Sequence, residues 1–328
     1  MDMNRRALYN SLRMNWVMQP NAEVEAWQVE DYRSMPLDGL FERLEDQDIR
    51  LDKTSFIAFA ETVDTPEDLT DALLADVSDD AQLHDQIYLI VFELWRRLLP
   101  EKPCVSIFCD ELDHQIHLYD QGPLENPEDM EDALANLKVL LDENTDEGAD
   151  PQEAFDYISS GCANSIETFL HDFISEQIDN ANFSYAAELL DGFSPYVHDV
   201  NWFQFLRARQ LSSTDPEEAN AIIKELISQK SAQADLELNL EMLSFLVSFG
   251  DKETFEMVVK NAATLLEVEE DFQALLSICA DFYHRLDREH IEKALQKILK
   301  ERAMHDPEKP FDLKDAHFSE LFKIISKG

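Results

Sequence analysis

Side chains with the makings of a chemical site fall in three places. Between Asp142 and Glu153, oxygen-bearing residues stand at Asp142, Asn144, Asp146, Asp150 and Glu153. In a helix–loop–helix calcium site these are the ligand positions, where a hard cation gathers carboxylate and amide oxygens. Glycine normally permits the sharp turn at the sixth position of such a loop; here Glu147 takes that place and Gly148 follows one residue late. Asp150 and Glu153 also suit an ordinary helix start. The second place is His114 and His117, which share a helix face, with Asp110 and Asp113 each one helical turn ahead of a histidine. Imidazole and carboxylate so spaced can ligate zinc, but no HExxH spacing is present and the sequence places no third ligand. The third is Ser159-Ser160-Gly161-Cys162, which lacks the GxSxG frame of a nucleophile elbow and any basic neighbour to activate the thiol. It reads as a turn between two helices. The chain is therefore expected to be no enzyme, to carry no catalytic residue and to need no cofactor, with the calcium loop as its one metal candidate.

The elements that would position these groups are helices. Four times a capping residue is followed by proline and then acid: Thr65-Pro66-Glu67-Asp68, Asn126-Pro127-Glu128-Asp129, Asp150-Pro151-Gln152-Glu153 and Asp215-Pro216-Glu217-Glu218. The cap accepts an orphan amide hydrogen bond, proline at the first helical position loses none, and acids favour the positive end of the helix dipole. Between such starts the apolar residues have helical period. Leu83, Ile87, Val91, Leu94, Trp95 and Leu98 fall on one face, and Tyr88, Ile90 and Phe92 make that helix apolar nearly all round, as a central buried helix requires. Phe108, Leu112, Ile116 and Tyr119 predict a helix over 105–119. The breaker Gln121-Gly122-Pro123 then marks the expected boundary between an N-terminal helical domain, 1–122, and a second region, 123–328.

That second region repeats. Asp215, Asp251 and Asp287 are each expected to open a helix in the form Asp-x-Glu, 36 residues apart, and apolar residues follow in step at Ala219, Phe255 and Ile291. A second helix is expected after each of the first two starts, through Leu236, Leu240, Leu243 and Leu246, and through Phe272, Leu276, Cys279 and Phe282. Looser starts lie at Asn182 and Asp150. The repeat length and two-helix plan over roughly 150–300 resemble tetratricopeptide-type α-solenoids. This resemblance implies an all-α fold of stacked helical hairpins and a protein-binding scaffold. That family's small residue at the eighth position is here Tyr157, Leu189, Ile222, Val258 or Ala294, so no peptide-clamping residue carries over. The segment from Met304 on, with Phe318, Leu321, Phe322, Ile324 and Ile325, is expected to form a helix capping the end of the array.

Composition narrows the function. Only 7 of 328 residues are glycine, which disfavours hairpin-rich β folds and glycine-rich phosphate loops. Acids outnumber bases 69 to 27, a formal net charge of −42. Such a chain repels nucleic acid and anionic membrane and attracts basic partners. The acid is densest from Cys104 to Leu206, where Lys138 is the one base, while the stretch from Arg285 onward is nearly neutral. The N-terminal Arg5, Arg6 and Arg13 flank Leu8, Leu12 and Trp16 without an apolar signal core, and no run is long enough to span a bilayer, so a cytoplasmic location without membrane insertion is expected. Taken together, these features predict a non-catalytic scaffold, adaptor or chaperone holding a Lys/Arg-rich protein. Trp202, Phe205 and Arg209, in an aromatic run beside Arg207, are its candidate contact residues. The alternatives are an acidic decoy that masks a nucleic-acid-binding protein, a calcium- or metal-dependent protein, and adaptation of the surface to high salt.

Overall fold

The computed structural model describes residues 4–19, 21, 23–75, 80–122 and 126–326. Among these every regular element is helical, and extended pairing is limited to one isolated bridge between Val268 and Pro310. The all-α expectation holds. The chain divides into two compact units, Met1–Leu170 with Pro195–Val197, and His171–Ser194 with His198–Gly328. The expected break at Gly122 falls inside the first unit. Gly122 does end a helix, at φ 135°, but the two helices after it pack with the one before. Pro123 lies outside the described residues.

The first unit contains α1 (Arg5–Met18), a 3₁₀ turn (Ala26–Gln28), α2 (Leu37–Glu45), α3 (Lys53–Ala60), α4 (Pro66–Leu74), α5 (Ala81–Leu98), α6 (Val105–Asp120), α7 (Pro127–Asp146) and α8 (Pro151–Ser159). As its apolar circumference requires, α5 is central. Every residue from Ile87 to Trp95 is buried, and Tyr9, Leu40, Leu44, Phe56, Ala60 and Leu69 close around it. Glu93, 0% exposed, interrupts this core. A buried carboxylate persists only when paired, and here Arg96 meets it at 2.6 Å while Arg97 reaches it from the next turn. Arg97 also donates to the carbonyls of Tyr32, Arg33 and Met35, fixing the turn that precedes α2. Lys102 donates to the carbonyls of Ala60 and Val63 at the C-terminal end of α3 and lies over the Trp95 ring. The segment Pro195–Val197 joins this unit through Tyr196, whose hydroxyl donates to Asp142 at 2.5 Å, and through the Val197 carbonyl, which accepts from Gln152.

The boundary between the units falls in α9 (Ile166–Asp179). The second unit holds α10 (Phe183–Phe193), α11 (Val200–Leu211), α12 (Pro216–Ser228), the single-turn α13 (Lys230–Gln233), α14 (Leu236–Phe249), α15 (Lys252–Ala263), α16 (Glu269–Arg285), α17 (Glu289–Arg302) and α18 (Ala316–Ile325). From α10 on, each helix packs on its successor, and α11 on α14, α12 on α15 and α14 on α16 pack across one hairpin. Leu243, Leu246, Phe255, Phe272, Leu276 and Phe282 share one core, into which α18 inserts Leu321 and Ile325. Arg302 pairs with buried Glu269 at 2.5 Å and with Asp315, and lies over Phe272 and Phe311. The strap between α17 and α18 is held to the start of α16 by Glu269 N–H donating to Lys309 O and Phe311 N–H donating to Glu267 O.

The start signals hold with two differences. Thr65, Asp150, Asp215 and Asp251 cap their helices through the side chain. Asn126 sits at the cap position of α7 but turns its amide to Asp129 Oδ1. Asp287, expected to open α17, instead closes α16. It adopts φ 55°, its N–H donates to His284 O, and Arg288 N–H donates to Tyr283 O. These are the paired bonds of a Schellman ending, with Asp287 at the left-handed position. The same pair of bonds closes α2 through Asp48, α7 through Gly148 and α9 through Ala181. Only one of these four endings uses glycine, which is how so glycine-poor a chain stops its helices.

Candidate functional site

Two helical stripes build a cavity in the first unit. On α1, Arg6, Asn10, Arg13 and Val17 recur at helical spacing; on α6, Asp110, Asp113, His114 and His117 do the same, and Gln121 follows at its C-terminal cap. The helices pack together and, with the turn at Asp31–Ser34, line an open cleft of about 530 Å³, a volume typical of small-molecule sites. Met14, Val17 and Leu118 supply its apolar lining.

Asp110 anchors the floor. Its Oδ1 accepts from Arg6 Nε at 2.6 Å and from Asn10 Nδ2, and its Oδ2 accepts from Arg33 Nη2 at 2.5 Å. Burial alone would raise this carboxyl, but the two guanidinium groups outweigh it and hold Asp110 well below the usual carboxylate range. Arg33 also clamps Glu111, which Arg96 reaches from α5. Asp113 is committed elsewhere. Its oxygens accept from the Ala163 and Asn164 N–H groups and from the Asn164 amide, which fixes the turn before α9. Burial raises the Asp113 carboxyl despite these bonds. His114 is held below its ordinary value, first by burial and then by nearby Arg33, both of which favour the neutral imidazole. Thus the face carrying His114 and His117 does line a site, but its carboxylates hold arginines and backbone amides. Among the described residues, no group of three or more His, Cys, Asp or Glu side chains is placed to hold a metal ion.

The calcium-loop residues do not form a loop. Helix α7 runs through Asp142, Asn144 and Asp146. Asp142 is bound by Lys138 and Tyr196, Asn144 donates to Leu140 O within the helix, and Asp150 and Glu153 belong to the start of α8. Helical backbone up to Asp146 leaves only a short Schellman turn where an ion would need twelve residues of wrapping loop. Of the expected contact residues, Phe205 is core, Trp202 donates to Asp235 Oδ2, and Arg209 pairs with Asp179 and donates to Ser175. All three are engaged within their own unit. Cys162 lies in the turn after α8, and contact with the Cys109 thiol together with burial drives its thiol pKa far up, opposite to what a nucleophile needs.

No family model matches the chain, and neither does any curated protein or solved structure.

A second feature is the outer side of α7 and α8. Glu128, Asp129, Glu131 and Asp132 are exposed in the first turns of α7, as are Glu143, Asp146 and Glu147 at its end and Asp150, Glu153 and Asp156 on α8. Lys138, the one base in this stretch, is taken up by Asp142 at 2.5 Å. Two large apolar side chains stand out among these acids, Val139 at 51% exposed and Tyr157 at 50%. The sequence revealed the acid but not this face, because which side of α7 is covered depends on α6 and α8. Among the described residues, no helix is long and apolar enough to cross a membrane.

Proposed function

We propose that this protein is a non-catalytic scaffold that holds a Lys/Arg-rich protein against the acidic side of α7 and α8. The reading rests on one observation, the exposure of Val139 and Tyr157 within a field of carboxylates. The carboxylates steer a basic partner and set its orientation. Exposed apolar side chains, tyrosine above all, supply the anchoring that charge alone does not. Those two anchors favour a scaffold over a decoy that mimics phosphate, which needs charge but no apolar contact. The second unit, whose helices pack on their successors and across one hairpin, is read as the α-solenoid that the 36-residue repeat implies.

The test is capture from native lysate at low and high salt, using the natural chain beside two variants, Tyr157→Ala and the triple charge reversal Glu143→Lys, Glu147→Lys, Glu153→Lys. A basic protein that the natural chain retains, and that both variants lose, supports the reading. Equal retention by all three chains, or no basic protein retained by the natural one, would falsify it.

A further inference from the structure

We infer that the cavity between α1 and α6 binds a small organic monoanion with an apolar body. The lining is built from opposite charges, but their hydrogen-bonding capacity is unequally used. Asp110 accepts from Arg6, Asn10 and Arg33, and Asp113 accepts from two backbone amides and two side-chain amides. The donors are in surplus. Arg6, whose side chain is only 9% exposed and whose guanidinium lies over the Phe92 ring, donates through Nε alone among the described residues, none of which takes up its terminal nitrogens. Arg13 spends one terminal nitrogen on Asp31 and makes no other hydrogen bond to the described residues. His114 makes none.

An unfilled set of guanidinium and imidazole donors beside a small cavity selects an acceptor, and charge-assisted bonds favour an ionised one. Met14, Val17 and Leu118 give an apolar body a place to lie. The charge of the ligand is limited by the chain itself. At a formal −42 the protein repels any anion, and a polyphosphate or nucleic acid pays that repulsion on every charge. A single carboxylate, screened over roughly 8 Å at physiological salt, meets the local arginines first. One carboxylate on an apolar chain satisfies all three conditions.

Titration calorimetry with octanoate, octylammonium and octanol tests this on the full chain. Octanoate is expected to bind at one site, octylammonium and octanol far more weakly. Arg13→Gln, at a partly exposed position, is expected to weaken octanoate about tenfold by removing one charge-assisted donor. Val17→Glu, on the exposed side of the mouth, is expected to weaken it also, and the unchanged helical circular dichroism of both variants shows that they fold. The inference is overturned if octanoate gives no binding heat, if octylammonium binds as tightly, or if both variants bind octanoate like the natural chain.

Discussion

Phe255 on α15 and Phe282 on α16 lie face to face, with ring centroids 3.7 Å apart and planes 2° from parallel. Both are fully buried, and both fall at positions the helical period assigns to the core. Truncating either removes a ring from a fully buried site. Phe282→Ala is expected to cost about 3–5 kcal/mol in urea unfolding. A double-mutant cycle with Phe255→Ala should return a coupling well below the about 0.5–1.5 kcal/mol of an offset or edge-on pair, because rings this close to face to face oppose like quadrupole faces. A coupling of that size or larger would refute this.

Asp110 holds two arginines at once. Asp110→Asn keeps the shape but removes the charge, which leaves the Arg6 guanidinium buried without its counter-ion. The expected loss is about 3–5 kcal/mol, against a smaller one for Arg6→Met combined with Asp110→Leu, where the one arginine left, Arg33, keeps Glu111 as its partner. Denaturant midpoints of the two variants decide this. A double variant as unstable as Asp110→Asn would mean that packing, not charge, sets the cost.

The same residue sets an acid limit. Its folded pKa is depressed below the unfolded one, so its stabilisation is complete above about pH 4 and is lost as pH falls through the folded value. Asp113 has the opposite sign. Its folded pKa is raised, so protonation relieves its burial as the medium is acidified. Stability measured from about pH 5 to pH 2 should therefore fall steeply in the natural chain and more gently in Asp110→Asn. Parallel curves would remove Asp110 from the account of acid unfolding.

Ala181 ends α9 at φ 61°, a left-handed position where a Cβ is strained and glycine is not. Ala181→Gly is expected to stabilise the protein by about 0.5–1 kcal/mol, after allowing for the greater backbone freedom of glycine in the unfolded chain. The readout is the thermal midpoint, and a lower midpoint for the glycine variant would refute it.

Much of this fold was legible before any coordinates, because its signals are local. Caps such as Thr65 and Asp251 bond to amides three residues away, and the buried face of α5 follows from period alone. The reading of Asp287 failed because aspartate serves both as a helix cap and as a left-handed helix end, and the 36-residue spacing cannot distinguish the two. The calcium loop failed because carboxylates spaced for a loop can equally lie along a helix. The cavity was half visible. His114, His117, Asp110 and Arg6 stand out in the sequence, but that α1 packs on α6 is a long-range fact, and Arg33 comes from a turn with no periodic signal.

The exposed side of α7 and α8 also bears on how the molecule responds to its medium. Like charges held close together by a rigid helical surface are stored work, released when ions gather around them or when the chain unfolds and spreads them apart. The buried pairs at Asp110, Glu93 and Glu269 are shielded from that exchange. Added salt therefore lowers the energy of the folded surface while leaving its internal ion pairs nearly untouched. This protein should tighten with ionic strength, and a bound polycation should do the same at far lower concentration.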